Sequence, residues 1–210
     1  MLGSRRYGRS GGAGLKRILD DIAELWRFAR APADPEGRAF DARFGTETRW
    51  FDWSGSYEPC PPSRFAQALA VLDVDVSEYT FVDLGCGKGR ALILAAVRPF
   101  RAVVGVEHRP ELVAVARRNL AAAACREPAC GRVRLIEGDA GAFAPPDGPL
   151  VLFLYNPFGA DLVESVLARV RGRARLVYLT PLHEERVRKL GWRPLATGGA
   201  GLEAWGVYAR

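Results

Sequence analysis

The stretch Tyr79-Thr80-Phe81-Val82-Asp83-Leu84-Gly85-Cys86-Gly87-Lys88-Gly89-Arg90 reads as an apolar strand, a glycine-rich turn and the start of a helix. Lacking a Cβ, Gly85, Gly87 and Gly89 let the backbone turn sharply and let a ligand approach it closely. The helix that follows begins with N–H groups that have no partner inside it and can face a carboxylate. Asp83, at the end of the strand, can accept a hydrogen bond from an amine. The glycine spacing is GxGxG, not the GxGxxG of dinucleotide-binding turns, and there is no GxxxxGK[ST] phosphate cradle.

From this turn onward the chain alternates. RAVVGVE, RVRLIEGD, PLVLFLYN and ARLVYLT read as strands. KGRALILAAV, PELVAVARRNLAAAA, GADLVESVLARVR and HEERVRKL read as helices. GWRPLAT and LEAWGVYAR can close the chain as two antiparallel strands. Apolar strands alternating with helices predict an α/β fold, a doubly wound, mostly parallel sheet covered on both faces. In such sheets ligands bind outside the carboxyl ends of the strands. Two further acids are predicted there. Glu107 ends the second strand, where it can accept both ribose hydroxyls of an adenosine. Asp139 ends the third, in IEGDA, and can accept from an adenine amino group. Taken singly, Glu107 also suits a solvated strand end and Asp139 an ordinary turn.

DLGCGKGR, VVGVE and IEGDA together resemble the successive cofactor motifs of class I, Rossmann-like methyltransferases that use S-adenosylmethionine (SAM) and release S-adenosylhomocysteine. The resemblance spans residues 79 to about 209. It implies a seven-stranded sheet with an antiparallel last strand. It also implies SAM held across Gly85, Cys86, Gly87 and Gly89, beside Glu107 and His108, and against Asp139 and Ala140.

Upstream of the motifs, residues 1–14 read as a flexible basic tail. Leu15, Ile18, Leu19, Ile22, Leu25, Trp26 and Ala29 recur at helical spacing and predict an amphipathic helix. APADPEGR, residues 31–38, breaks it. The aromatic-rich stretch FDARFGTETRWFDWSGSYEPCPPSRF follows without a clear period, and Pro61 and Pro62 open a helix. Residues 15–75 are therefore expected as a helical arm that covers the cofactor, and 76–210 as the SAM-binding domain. The order Tyr-x-Pro, helix, DxGxG loosely resembles Dot1-like protein-lysine methyltransferases and their smaller relatives. That likeness makes Thr48 and Tyr57 candidate cofactor contacts, with Tyr57 also a candidate on the acceptor side. The plainer expectation is that these aromatics plug one end of the sheet.

The fourth strand runs into Tyr155-Asn156-Pro157-Phe158-Gly159. This turn resembles the NPPY-type motif of class I enzymes that methylate amino nitrogens, except that Phe158-Gly159 stands where the fuller pattern has a second proline. It implies that Asn156 and Pro157 direct their oxygens at an acceptor amine, with Asn156 also near the cofactor and Phe158 holding the acceptor by its ring face. The plainer expectation puts Phe158 in the core. His108 and His183, the two histidines, are candidate proton acceptors.

The net charge of +6 invites a nucleic-acid partner, but Arg5, Arg6, Arg9, Lys16 and Arg17 all precede the first acid, Asp20. Without them, 25 basic residues face 24 acidic ones. Arg98, Arg101, Arg132, Arg134, Arg169, Arg171, Arg173 and Arg175 precede strands, at the amino edge of the sheet, away from the cofactor. Protein or small-molecule amines are thus favoured over nucleic acid as acceptors. The four cysteines lack metal or redox spacing, and with two histidines no metal is expected. No stretch reads as a signal or a membrane span, so a cytoplasmic protein is expected. The alternatives are a small-molecule O- or N-methyltransferase and a non-catalytic SAM-binding protein. An NAD-dependent oxidoreductase fits the glycine spacing poorly.

Overall fold

The structure, a computed structural model, describes residues 34–49, 57–155 and 158–210. The chain divides into two units, Met1–Asp34 with Trp50–Glu58, and Pro35–Arg49 with Pro59–Arg210. In the first, only Asp34, Tyr57 and Glu58 are described. The expected tail, the expected helix over residues 15–29, and Trp50, Phe51 and Trp53 lie outside the described residues. The second unit, which begins well before residue 76, is the one that carries the sheet.

Seven strands form one sheet in the order β3-β2-β1-β4-β5-β7-β6. They are β1 (Thr80–Leu84), β2 (Ala102–Glu107), β3 (Arg134–Glu137), β4 (Leu150–Tyr155), β5 (Ala174–Leu179), β6 (Arg193–Gly198) and β7 (Trp205–Ala209). Only β7 runs against the rest, pairing antiparallel with both β5 and β6. This is a Rossmann-like sheet with one antiparallel strand. The helices are α1 (Pro35–Phe44), α2 (Pro62–Ala70), α3 (Arg90–Ala96), α4 (Pro110–Ala124), α5 (Ala160–Ala168) and α6 (Glu184–Lys189).

Each central strand serves two cores because successive side chains point to opposite faces. Phe81, Val103, Val151, Phe153 and Val177 join α1, α2, α3 and the end of α4 on one face. Val82, Val104, Leu152, Leu154 and Leu176 join α5 and α6 on the other. On the first face Phe65 of α2 meets Phe81 and Phe153, with ring centroids 5.8 and 5.3 Å away. Such edge-on and tilted contacts add to simple burial. The outer strands β3 and β6 are more exposed, as edge strands must be.

Helix α1 was not expected from the sequence. Pro35 suits its first turn and Glu36 its positive end. Its buried positions are Gly37, Phe40, Asp41 and Phe44, a helical spacing with two non-hydrophobic members. The Phe40 and Phe44 rings lie 4.8 Å apart.

The arginines at the amino edge are used by the fold. Arg171 donates to Ala168 O and Val170 O, and Arg210 to Leu167 O and Val170 O, satisfying the last carbonyls of α5. Arg101 donates to Thr80 Oγ1 and Arg173 pairs with Glu78. Among the described residues, no helix is long and apolar enough to cross a membrane.

Candidate functional site

The glycine turn lies between the end of β1 and α3, and all three glycines have positive φ: Gly85 at 81°, Gly87 at 53° and Gly89 at 86°. L-residues with a side chain seldom adopt that region, so the spacing GxGxG follows from the backbone path. Gly85 and Cys86 donate their N–H groups to Val106 O, which staples the turn to β2. The turn therefore places bare backbone at the carboxyl end of β1, with Gly85 half-buried and Gly87 and Gly89 buried.

Glu107 is buried at the end of β2. Its Oε2 accepts from Gly87 N at 3.0 Å and its Oε1 from Arg109 N at 2.9 Å. The carboxylate thus fixes the turn, and its remaining lone pairs are those open to a diol. Asp83 is buried nearby. Burial, and then the charge of Glu107, push its carboxyl well above the usual carboxylate range. A cationic amine bound there would relieve both effects. Cys86 is also buried, its thiol held far from ionisation by burial and by the two acids. It turns away from the open edge, toward β2.

The space for that thiol depends on Gly105, which the sequence reading did not single out. Gly105 faces Asp83 across the β1–β2 pair. A Cβ there would come within 2.4 Å of Leu92 Cδ1 and 3.0 Å of Cys86 Sγ. A glycine inside a strand was the available signal.

Asp139 is exposed after β3, and its Oδ1 accepts from Gly141 N, a local turn contact. It lines a cavity of about 400 Å³ with Val104, Val106, Ile136 and Phe143. An apolar recess beside one carboxylate suits a flat base bearing an amino group. Ala140 is buried, and its carbonyl accepts from Arg169. His108 is exposed, with Nδ1 3.3 Å from Glu107 Oε1, and half-buried His183 precedes α6.

Thr48 belongs to a different arrangement from the one expected. It is fully buried, its hydroxyl donates to Asp41 Oδ1 at 2.7 Å, and Arg90 Nε donates to it at the same distance. It fastens the chain rather than facing open space. Residues 46–49 are tied down along their length: Asn119 holds both the N–H and the carbonyl of Glu47, and Lys88 Nζ donates to Arg49 O at 2.8 Å. Asn119 also donates to Lys88 O. Lys88 and Arg90, each only 1% exposed, therefore anchor this strap to the residues flanking Gly89. Lys88, Arg90 and Asn119 were not foreseen, because their partners are remote in sequence. Tyr57 belongs to the first unit.

On the other side of the edge, Asn156 and Pro157 lie outside the described residues. Tyr155 before them ends β4, and Phe158 after them is half-buried and packs against the core beneath α5. Thr180, just past β5, has φ +49°. That is an outlier for a β-branched residue, with a cost of about 1–3 kcal/mol. Thr180 N donates to Ala204 O and its hydroxyl to Leu202 O, and buried Arg64 of α2 donates to it.

Residues 81–172 match the family described as "Methyltransferase domain". No curated protein matches the chain. Among solved structures, the chain is similar to an RNA methyltransferase from Salinibacter ruber in complex with S-adenosyl-L-homocysteine. The identity is 23%, covering 72% of this chain and 92% of that one, with a TM-score of 0.52. It is similar to a precorrin-6y C5,15-methyltransferase from Geobacter metallireducens at 16% identity, covering 77% and 93%, with a TM-score of 0.55. It is also similar to a glycopeptide N-methyltransferase at 15% identity, covering 71% and 95%, with a TM-score of 0.56. These likenesses establish the fold. With the domain match, bare glycine backbone beside a buried carboxyl and a diol-ready carboxylate fit SAM as the cofactor.

Proposed function

We propose that this chain is a class I SAM-dependent methyltransferase that acts on an amino nitrogen of a protein, such as a lysine side chain, or of a small molecule. The observation that carries this reading is the place of β4, whose last residue, Tyr155, immediately precedes Asn156-Pro157-Phe158 in the sequence. These residues follow β4, and β4 is the parallel neighbour of β1. The end of β4 lies one strand spacing, about 4.8 Å, from the strand that ends in Asp83-Leu84. An Asn side-chain oxygen is an uncharged acceptor with two lone pairs. It orients a neutral amine through its N–H groups and leaves the nitrogen lone pair for the methyl carbon.

SAM supplies a methyl group already activated on a sulfonium. The task of the chain is to align the nitrogen, exclude water and let a proton leave. Asn156 and Pro157 align the amine, and half-buried Phe158 divides its ring between core packing and the acceptor side. By their names the glycopeptide enzyme is an N-methyltransferase, the precorrin enzyme a C5,15-methyltransferase and the third an RNA methyltransferase, all on one fold. The fold therefore does not choose the acceptor, and the reading rests on Asn156.

Transfer from tritium-labelled SAM into a lysate, separated into protein, nucleic acid and small molecules, tests it. The expected result is label in protein or small molecules, recovered as an N-methyl group. Label in nucleic acid alone, or on oxygen, overturns it. Asn156→Ala should lower turnover roughly tenfold or more while SAM affinity stays within about twofold.

A further inference from the structure

We infer that Lys88 and Arg90 are positioning residues for SAM binding, through which the strap of residues 46–49 holds the glycine turn in the shape that receives the cofactor; this rests on SAM as the cofactor and not on the acceptor. The two buried side chains flank Gly89. Lys88 Nζ donates to Arg49 O at 2.8 Å. Arg90 Nε donates to Thr48 Oγ1 at 2.7 Å and its Nη1 to Cys60 O at 3.3 Å, with the guanidinium carbon 5.7 Å from the centre of the Phe40 ring of α1. Thr48 in turn donates its hydroxyl to Asp41 Oδ1, so one oxygen links a buried carboxylate to a buried guanidinium. The strap is also held from α4. Arg126, just after that helix, donates to Ala42 O and Arg43 O at 2.6 and 2.7 Å, and Asn119 bridges Glu47 and the Lys88 carbonyl.

A turn with glycine at three of the five positions from Gly85 to Gly89 starts with unusual backbone freedom. Its first half is fixed by hydrogen bonds from Gly85, Cys86 and Gly87 to Val106 and Glu107 of β2. Its second half is fixed from outside the sheet. Lys88 is held at both its carbonyl and its ammonium, and Arg90 at its guanidinium. Side chains that merely continued the turn could stay in water. A buried ammonium or guanidinium is costly unless fixed partners meet it, and the partners here lie in the strap and at Cys60. A turn ordered before SAM arrives spares binding that loss of freedom. Strap and cofactor are then linked: what holds the strap favours SAM, and SAM favours the held strap to the same extent.

The test compares Thr48→Val, Thr48→Ser and Lys88→Met in the full chain. Calorimetry below each melting transition gives SAM affinity, and amide hydrogen exchange with and without SAM reads the strap. Thr48→Val keeps the shape but deletes the hydroxyl between Asp41 and Arg90, and Lys88→Met keeps the stem but deletes the ammonium. Each should weaken SAM binding roughly three- to tenfold. Thr48→Ser keeps the hydroxyl and should bind SAM within about twofold of the unsubstituted chain. In that chain SAM should slow exchange at the Glu47 and Thr48 amides roughly threefold or more, while the Ser77 amide, bonded to Asp75 ahead of β1, is unchanged. Unchanged SAM affinity in either Thr48→Val or Lys88→Met, with only the melting temperature lowered, overturns the inference. So does an equal loss in Thr48→Ser, which would mark a packing effect. If Thr48→Val does not fold, Lys88→Met and hydrogen exchange decide, and strap amides indifferent to SAM overturn it. No SAM binding by the unsubstituted chain overturns the cofactor reading and this inference with it, whereas the variant-to-wild-type ratio tests the strap alone.

Discussion

The ends of β1 and β2 and the ends of β4 and β5 lie along one edge of the same sheet, yet they are built differently. At β1 and β2 the shape comes from backbone: three glycines at positive φ, stapled by main-chain hydrogen bonds and braced by Glu107. At β4 and β5 the shape comes from side chains, with Arg64 reaching Tyr155, Thr180 and Ala204. A backbone cradle recognises a constant ligand and tolerates little change. A side-chain wall can be remade one residue at a time without disturbing the cradle. The contrast suits an enzyme class with one methyl donor and many acceptors.

The largest expected break falls on the cradle. Gly87→Val would force a β-branched residue to φ near +53° and should weaken SAM binding roughly 100-fold by calorimetry. Asp83→Asn sharpens the contrast because its two effects have opposite signs. It should weaken SAM binding roughly tenfold, through loss of a charged hydrogen-bond acceptor, while raising the melting temperature without SAM. The sign follows from the raised carboxyl. Ionisation costs the folded chain more than the unfolded one, so stability without SAM falls as pH climbs from the ordinary value of 3.8 through the raised one. SAM affinity should rise over that same window, and in Asp83→Asn this contribution to both slopes should vanish. Asn119→Ala loosens the strap beside the cradle and should cost about 1–3 kcal/mol in urea unfolding, with a smaller loss of SAM affinity than Gly87→Val. Least of all, Glu185→Ala, which removes an exposed pair with Lys189 on α6, should leave melting temperature, SAM affinity and transfer unchanged.

The cradle was legible in the sequence and the wall was not, for a physical reason. Strands buried on both faces are continuous apolar runs, and a left-handed turn demands glycine, so β1, β2 and the turn between β1 and α3 are written locally. Asp83 and Glu107 stand at predictable strand ends. Helix α1 was hidden because Gly37 and Asp41 occupy half of its buried face, and Asp41 is buried in order to hold Thr46 and Thr48. Thr48, which the family likeness put among the cofactor candidates, has its hydroxyl bonded to Asp41 and Arg90. Arg64 and Thr180 are 116 positions apart, and nothing near either marks the other as its partner. The positive φ of Thr180 carries no sequence signature, because threonine is seldom chosen for it.

The placement of β7 between β5 and β6 bears on how the molecule assembles. The strand that precedes β7 in the chain has no seat on the sheet until β7 has docked on β5. During folding, β5 therefore presents an open edge while β6 waits, and the hairpin must arrive whole or in reverse order. An unpaired edge of this kind is where strands of neighbouring molecules add. The hurdle to a high yield of refolded protein accordingly lies at the β5 edge, half a sheet away from the glycine turn, and is best watched by hydrogen exchange at Val177 and Val207.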